Sequence, residues 1–364
     1  MTGFDYLVVG AGLSGATIAR KLAEDNYKVL VIDKREHIGG NTYDYEDDKT
    51  GIRVSKYGAH IFHTNDEDVW QFVSQYSEWL PYEHKVLAKV KNQYVPVPVN
   101  IDTVNKLIDP TVTDQKTMQI YLDNVQYKGE ITNSRQSALA RVGKQLYELI
   151  FENYTKKQWD LYPEELDPTV LERIPVRTDF NDRYFNDTYE ALPKNGYTAF
   201  VENILAHPNI DVILQEPYNQ DTHKNIKTIF TGKIDTYFND RYGSLEYRSL
   251  YFKQYIYNQE SYQPTAVVNC PSLEYPYTRT IEYKKFYNTK SDKTIVVEEY
   301  SQAGGEPYYP IPNKKNKDKY ALYQQEATKL EQQGIYFIGR LAEYKYYNMD
   351  QAIKSALNLY ERIK

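Results

Sequence analysis

A glycine-rich segment near the start of the chain constrains its fold more than any other feature. Residues 10–15 read Gly-Ala-Gly-Leu-Ser-Gly, which is the pattern G-x-G-x-x-G. An apolar run at 5–9 predicts a buried strand before it, and the apolar spacing at 13–24 predicts an amphipathic helix after it. Residues 28–32 predict a second buried strand. Strand, turn, helix and strand together indicate an α/β fold with a Rossmann-like parallel sheet.

The same segment predicts a dinucleotide site. In this motif the first glycine permits a tight turn, the second lets the backbone approach a pyrophosphate, and the third lets the helix pack closely. The helix N-terminus then favours the phosphate charge. Asp33, 18 residues after Gly15, is placed to accept hydrogen bonds from a ribose. A merely glycine-rich turn is the alternative. The predicted cofactor residues here are Gly10, Gly12, Leu13, Ser14, Gly15, Asp33 and Lys34.

Two later segments distinguish FAD from NAD. Gly39, Gly40 and Asn41 follow the second predicted strand and resemble the second glycine motif of FAD-binding flavoproteins. Gly339 and Arg340 lie between a predicted strand at 335–338 and a predicted helix at 350–363, and are similar to the C-terminal FAD segment of that class. A surface ion pair would be the default role for Arg340 without the other two motifs. Together the segments predict FAD as the cofactor.

Composition excludes several classes of protein. The length of 364 residues suggests roughly two or three domains. A net charge of -6 argues against a nucleic-acid binder. The single cysteine, Cys270, excludes an internal disulfide or a cysteine metal cluster, which fits a reducing compartment. The longest apolar runs are too short for a membrane span or a signal peptide, so a cytoplasmic location is expected.

The rest of the chain predicts three domains. Apolar residues at helical spacing over 134–159 indicate helices, and short Tyr-, Val- and Thr-rich runs over 244–300 indicate an antiparallel sheet. Pro96 and Pro98 make 86–99 an edge strand. We predict a FAD-binding domain (1–83, 195–242 and 317–364), a helical insertion domain (101–175) and an antiparallel β-sheet domain for substrate (84–100, 176–194 and 243–316).

Two histidines lie in the segment 57–64, and their spacing first raises the question of a metal. His60 and His63 have no third histidine, cysteine or clustered carboxylate at ligand spacing. Metal binding is therefore not predicted, and structural roles are the common alternative.

Eight short segments along the chain resemble those of one enzyme family. They are residues 37–41, 57–64, 154–159, 173–177, 245–248, 276–279, 307–310 and 339–341. In this order they are similar to the UDP-galactopyranose mutases. The resemblance implies interconversion of UDP-galactopyranose and UDP-galactofuranose through a non-redox use of reduced FAD, whose N5 attacks the anomeric carbon and displaces UDP. It also implies a homodimer, and NAD(P)H or another reductant.

The resemblance further implies roles for individual side chains. Arginines Arg173, Arg248 and Arg279 would stabilise the diphosphate, with Arg173 on a mobile loop. The substrate residues would be Tyr154, Thr155 and Trp159 near the uridine, the phosphate-binding Tyr184, Tyr309 and Tyr346, and also Asn269, Asn348 and His84. His60 and His63 would lie against the flavin and the sugar, and Ile61 and Met349 would complete the cofactor site. Surface ion pairs and core packing are the alternatives for the arginines and tyrosines.

Three departures from the family pattern leave the substrate open. Asn348 stands where many bacterial members have aspartate, His84 where asparagine is expected and Lys106 where glutamine is expected. A sister mutase for dTDP-fucose or UDP-N-acetylgalactosamine therefore remains an alternative. Remoter alternatives are a flavin oxidoreductase, such as an amine oxidase, and a non-catalytic nucleotide-binding protein.

Overall fold

The computed structural model describes residues 3–172 and 175–364. Its strands are β1 Tyr6–Val9, β2 Val29–Asp33, β3 Asp44–Glu46, β4 Arg53–Ser55, β5 Phe62–Thr64, β6 Trp79–Pro81, β7 Val86–Val90, β8 Gln93–Val97, β9 Tyr189–Pro193, β10 Ile210–Leu214, β11 Lys227–Phe230, β12 Tyr247–Tyr257, β13 Val267–Asn269, β14 Arg279–Glu282, β15 Thr294–Ala303, β16 Tyr309–Pro310 and β17 Ile335–Phe337. Its helices are α1 Leu13–Glu24, α2 Glu67–Ser74, α3 Ile101–Leu107, α4 Gln115–Val125, α5 Ser134–Leu146, α6 Glu152–Trp159, α7 Thr169–Glu172, α8 Gly196–Leu205, α9 Ile234–Tyr237, α10 Lys314–Glu331 and α11 Met349–Ile363.

A five-stranded parallel sheet forms the first layer, in the order β10-β2-β1-β11-β17. The central strand β1 is apolar along its whole length because both faces of the sheet are covered, and α1 packs against α8 and α11. The α/β class and the first strand–helix–strand unit are confirmed. The predicted helix at 13–24 is α1 to the residue, and β2 begins one residue later than predicted. β17 is half-buried because it is an edge strand, where a buried strand was expected.

A seven-stranded sheet forms the second layer, in the order β16-β12-β15-β14-β13-β7-β8. Its pairs are antiparallel except for β13 with β7. The stretch 86–99, predicted as one edge strand, is a hairpin that turns at Lys91 and Asn92, both with positive φ. Only its second strand lies at the edge, and Pro96 is in that strand, where a missing N–H is tolerated.

The region predicted to be helical at 134–159 is helical but not straight. Gly143 has a φ of +74°, and a π-helical turn at 147–151 follows before α6 begins. The cause is a close approach, because a Cβ on Gly143 would lie 2.6 Å from Val125 Cγ2 at the end of α4. The break allows α6 to run against β15 of the antiparallel sheet.

Smaller sheets join these layers. β5, β9 and β6 form a three-stranded antiparallel sheet, and β3 pairs with β4. The domain boundaries given above stay a prediction. Within residues 3–172 and 175–364, no helix is long and apolar enough to cross a membrane.

Candidate active site

A cavity of about 730 Å³ opens at the carboxyl ends of β1, β2 and β11. Of the residues predicted to bind a cofactor, its lining includes Gly10, Gly12, Leu13, Ser14, Gly15, Asp33, Lys34, Gly39, Gly40, Asn41, His60, Gly339, Arg340 and Met349. Ile61 is the exception, because its side chain is buried in the core beside the cavity. Asn348, which immediately precedes α11, also lines the cavity.

The three glycine segments meet at the start of α1. The Gly39 N–H donates to the Ala11 carbonyl at 2.8 Å. A Cβ on Gly40 would lie 3.0 Å from the Gly12 Cα, and one on Gly339 would lie 2.9 Å from the Ser14 Oγ. Side chains at these glycines would therefore fill a cradle that backbone N–H groups line, which is the surface that a dinucleotide pyrophosphate requires.

Asp33 both builds this cradle and faces into the cavity. Its carboxylate accepts the Ala11 N–H at 2.8 Å and the Arg35 N–H at 2.9 Å. Each carboxylate oxygen has a further acceptor site, so these bonds leave capacity for a ribose hydroxyl. Asp33 thus fits the predicted ribose role while also fixing the glycine turn.

Part of the lining was missed by the sequence analysis. Residues 216–221 and 231–233 follow β10 and β11, and Glu306 and Pro307 come from the segment before β16. Glu306 accepts from Lys34 Nζ at 2.9 Å. The available signal was the short segment Lys-Thr-Ile-Phe at 227–230 followed by Thr-Gly, since the carboxyl ends of parallel strands meet at one edge of a sheet.

A row of polar side chains crosses the antiparallel sheet. Asn269, Arg279 and Glu299 lie directly opposite one another on β13, β14 and β15. Arg279 Nη2 lies 2.8 Å from Glu299 Oε2. Burial is the largest single influence on Arg279 and opposes its charge, but the Glu299 carboxylate, Tyr154 and Tyr309 together outweigh it and raise the pKa of the guanidinium well above its ordinary value. Arg279 therefore carries a fixed positive charge, and its half-buried side chain is paired with a buried carboxylate.

Tyrosines surround this row. The ring centroids of Tyr309 and Tyr346 are 5.0 Å apart, and the Arg340 guanidinium carbon lies 5.5 Å and 5.8 Å from those two rings. Burial raises the pKa of Tyr154, while the positive charge of Arg279 acts against that rise. Arg340 therefore borders both the cavity and the tyrosine cluster, and connects the two halves of the site.

The predicted residues on α6 and β12 lie in the wall behind these tyrosines. Trp159 and Thr155 are buried, and the Trp159 ring centroid is 5.8 Å from that of Tyr346. Arg248 is also buried, and its Nε donates to the Gln158 carbonyl at 3.1 Å. Burial lowers the pKa of Arg248. Arg248 pairs opposite Tyr309 across β12 and β16.

The two histidines have different surroundings. His60 Nδ1 donates to the Gly58 carbonyl at 2.8 Å, and burial, then Arg340 and Arg279, lower its pKa to about 4. His60 is therefore neutral near pH 7, with Nε2 as an acceptor. His63 Nδ1 lies 2.6 Å from Asp187 Oδ2, and the cavity lining does not include it.

Tyr184 lies in a second aromatic group. Its N–H donates to the His84 carbonyl at 2.7 Å, and its ring centroid is 5.6 Å from that of His84. His84 is 4% exposed, and its buried Nδ1 has no hydrogen-bond partner among residues 3–172 and 175–364. Burial, followed by Arg279 and His63, lowers the pKa of His84 to about 3.

We expect His84 to make the protein sensitive to acid. Its ordinary pKa is about 6.5, so the unfolded chain takes up this proton as the pH falls while the folded chain does not. The stability that neutral His84 contributes is present above pH 6.5 and is lost as the pH falls towards 3, about 2 kcal/mol of it by pH 5. Urea unfolding at pH 7.5 and pH 5 measures this loss.

The matched variants are His84→Gln and His207→Gln. Between pH 7.5 and pH 5, the free energy of unfolding of His84→Gln should fall by about 2 kcal/mol less than that of the natural sequence. His207→Gln changes a half-buried histidine outside the site. Its free energy of unfolding should fall by as much as that of the natural sequence. Equal losses in all three proteins would contradict the role given to His84.

The remaining predicted residues can be placed briefly. Arg173 lies outside the described residues. Lys106 is exposed on α3. Within the described ranges, no three His, Cys, Asp or Glu side chains come together as metal ligands.

Comparisons with known proteins agree with this geometry. A family model described as UDP-galactopyranose mutase matches residues 149–346, more than half of the chain, and one described as an NAD(P)-binding Rossmann-like domain matches residues 8–76. A probable UDP-galactopyranose mutase from Klebsiella pneumoniae is 39% identical over 98% of this chain and 94% of its own length. A dTDP-fucopyranose mutase from Escherichia coli is 39% identical over 96% of both chains.

A solved structure gives the same fold. The crystal structure of a reduced UDP-galactopyranose mutase matches all of this chain and 94% of its own, with a TM-score of 0.79 at 14% identity. The family match, the two full-length relatives and the joined cavity and tyrosine cluster together show that this chain belongs to the UDP-galactopyranose mutase family.

Proposed function

We propose that the protein is an FAD-dependent isomerase that interconverts UDP-galactopyranose and UDP-galactofuranose. Membership of the mutase family establishes the reaction class, and the cofactor FAD and the substrate UDP-galactopyranose are what we propose. The observation that carries it is the meeting of a dinucleotide cradle with a half-buried arginine–tyrosine cluster at Arg340. A site for sugar chemistry at a flavin requires those two surfaces side by side.

The cradle residues would hold the cofactor. The glycines at 10–15 and 39–40 and the start of α1 would take the pyrophosphate, and Asp33 the ribose. A bound, reduced flavin supplies a nucleophilic nitrogen for the anomeric carbon of the sugar. His60, which is neutral and lines the cavity, presents an acceptor there and adds no charge.

The cluster residues would act on the nucleotide. The charge of Arg279 and the hydroxyls of Tyr309 and Tyr346 are suited to stabilise the negative charge that grows on a departing diphosphate. Glu299 holds the guanidinium of Arg279 in place at 2.8 Å. Arg248 adds a second positive charge from the wall. Arg173 is proposed to contribute on the resemblance alone.

A second candidate function is dTDP-fucopyranose mutase activity. The Escherichia coli relative with that name is as similar to this chain as the UDP-galactopyranose mutase relative. His84, Lys106 and Asn348 depart from the family pattern. Asn348 lines the cavity. Burial lowers the pKa of His84, and His84 lies close enough to Arg279 for that charge to lower it further. The reaction is the same, and the sugar and base differ.

One assay separates these functions. The purified protein is incubated with UDP-galactofuranose or dTDP-fucofuranose, with the flavin either fully oxidised or reduced by dithionite, and products are separated by chromatography. We expect conversion of UDP-galactofuranose only in the reduced sample. Faster conversion of dTDP-fucofuranose would establish the second candidate, and oxygen-dependent substrate loss in the oxidised sample would establish an oxidase.

The cofactor and partners are proposals as well. Denaturing the yellow protein and identifying the released flavin tests FAD against other flavins. NAD(P)H is the proposed reductant, and anaerobic bleaching of the flavin by NADPH or NADH tests it. A homodimer in the cytoplasm is proposed from the resemblance, and light scattering tests the assembly.

A further inference from the structure

The Lys157 side chain ends among four backbone carbonyl groups. Its Nζ donates to Ser272, Tyr275 and Tyr277 at 2.9, 3.0 and 2.9 Å, and also to the Cys270 carbonyl. All four carbonyls belong to one segment, residues 270–278, which connects β13 to β14 and is called here the β13–β14 loop. Lys157 itself lies on α6, more than a hundred residues earlier in the chain.

The arrangement makes the loop depend on a positive charge. An ammonium has three N–H donors, so one proton is shared between two of the four oxygens. The loop is closed at its base by the Cys270 N–H, which donates to the Thr278 carbonyl at 2.8 Å. Without a cation, its four carbonyl dipoles would face one another in a partly buried space. Burial lowers the pKa of Lys157 to about 8, so the amine is still mostly charged at pH 7.

The loop joins two residues of the candidate site. Asn269 ends β13 immediately before the loop, and Arg279 begins β14 immediately after it. Lys157 is one helical turn from Tyr154, and the next residue, Gln158, accepts from Arg248 at 3.1 Å. Two neighbouring residues therefore tie α6 to the sheet, one through the loop and one through the wall.

We propose that Lys157 is a positioning residue that fixes Arg279 and Asn269 relative to Tyr154 by holding the β13–β14 loop against α6. The proposal rests on the proposed function, because it assigns these residues to nucleotide binding. Lys157 acts through the loop and touches no substrate. Its removal should misplace Arg279 while leaving the cofactor cavity, which it does not line, intact.

The test is a double-mutant cycle on UDP binding. The Kd for UDP is measured by calorimetry for the natural sequence, Lys157→Met, Arg279→Met and the double variant. We expect Lys157→Met to weaken UDP binding about 10- to 100-fold, since a misplaced Arg279 would lose one charge-assisted hydrogen bond to the diphosphate. If Lys157 acts through Arg279, the double variant should lose much less UDP affinity than the two single losses combined.

Lys156→Met is the matched control. Lys156 is the neighbouring lysine on α6 and donates instead to the Asp160 carbonyl at 2.8 Å. It should bind UDP like the natural sequence, and all variants should keep their flavin. Additive losses in the cycle, or unchanged UDP binding in Lys157→Met, would overturn the positioning role.

The same experiment separates this role from the proposed function. Failure of the natural sequence to bind UDP would count against the proposed substrate, and the cycle would then be repeated with dTDP as the probe. Lys157→Ala adds an independent arm, because propylammonium can occupy the vacated space. If propylammonium restores nucleotide binding in a saturable way, this supports the role of Lys157 in holding the β13–β14 loop. If an equal concentration of sodium ions restores it equally well, this role is contradicted.

Discussion

Replacing Arg279 with methionine is expected to lower turnover by about 100- to 1000-fold, the usual effect of losing one fixed donor to developing negative charge. Arg279 is charged, is paired with Glu299 at 2.8 Å, and has Asn269 directly opposite it. Methionine keeps much of the length of the side chain and removes the charge. Turnover is measured with reduced flavin and the better of the two nucleotide sugars.

Loss of fold must be separated from loss of catalysis in this variant. Arg279→Met leaves the Glu299 carboxylate buried without its partner, which destabilises the protein. Arg279→Met combined with Glu299→Gln removes that unpaired charge, so its stability should recover while its turnover stays low. Arg241→Met, at an exposed arginine, is the control. Natural turnover in the double variant would refute the role of Arg279.

The second large effect is expected at two glycines of the first motif, for different reasons. A Cβ on Gly15 would lie 1.8 Å from the Gly10 carbonyl oxygen, so Gly15→Ala should destabilise the protein with or without cofactor. The nearest atom to a Cβ on Gly12 is 3.7 Å away, which is ordinary contact. Gly12→Ala should therefore fold normally and should lose affinity for FAD about 10- to 100-fold, the equivalent of an overpacked contact.

Two measurements distinguish these outcomes. Urea unfolding of the apoprotein reports the free energy of unfolding, and titration with FAD, followed by quenching of its fluorescence, reports affinity. Gly12→Ala should change only the second quantity, whereas Gly15→Ala should change the first. Unaltered FAD affinity in Gly12→Ala would mean that the pyrophosphate does not lie against this turn.

The features that could be predicted from the sequence are those that depend on residues close together in the chain. The glycines at 10–15 and 39–40 and the pair Gly339–Arg340 each follow a largely apolar strand, so their positions follow from the pattern. The break at Gly143 was missed because its cause is Val125, which approaches from another helix. The spacing of apolar residues over 134–159 cannot predict a contact with a residue outside that segment.

The polar contacts of the site were harder to foresee. Arg279 was recognised through family resemblance, but its pairing with Glu299 depends on the register of β14 and β15. Lys157 lies in a recognised segment, yet its four carbonyl partners are decided by the path of a distant loop. Asp187 beside His63 follows from a contact between residues that are distant in sequence. Such contacts depend on tertiary structure.

The cofactor cradle draws on both ends of the chain, since residues 10–15 meet residues 339–349. The cradle can therefore close only after residues 339–349 have left the ribosome, and early folding of the first strand–helix–strand unit leaves it incomplete. A ligand bound there stabilises only the completed fold, by about 4 kcal/mol when present at a thousand times its Kd. In a cell, flavin supply would thus set how much of the newly made enzyme escapes proteolysis.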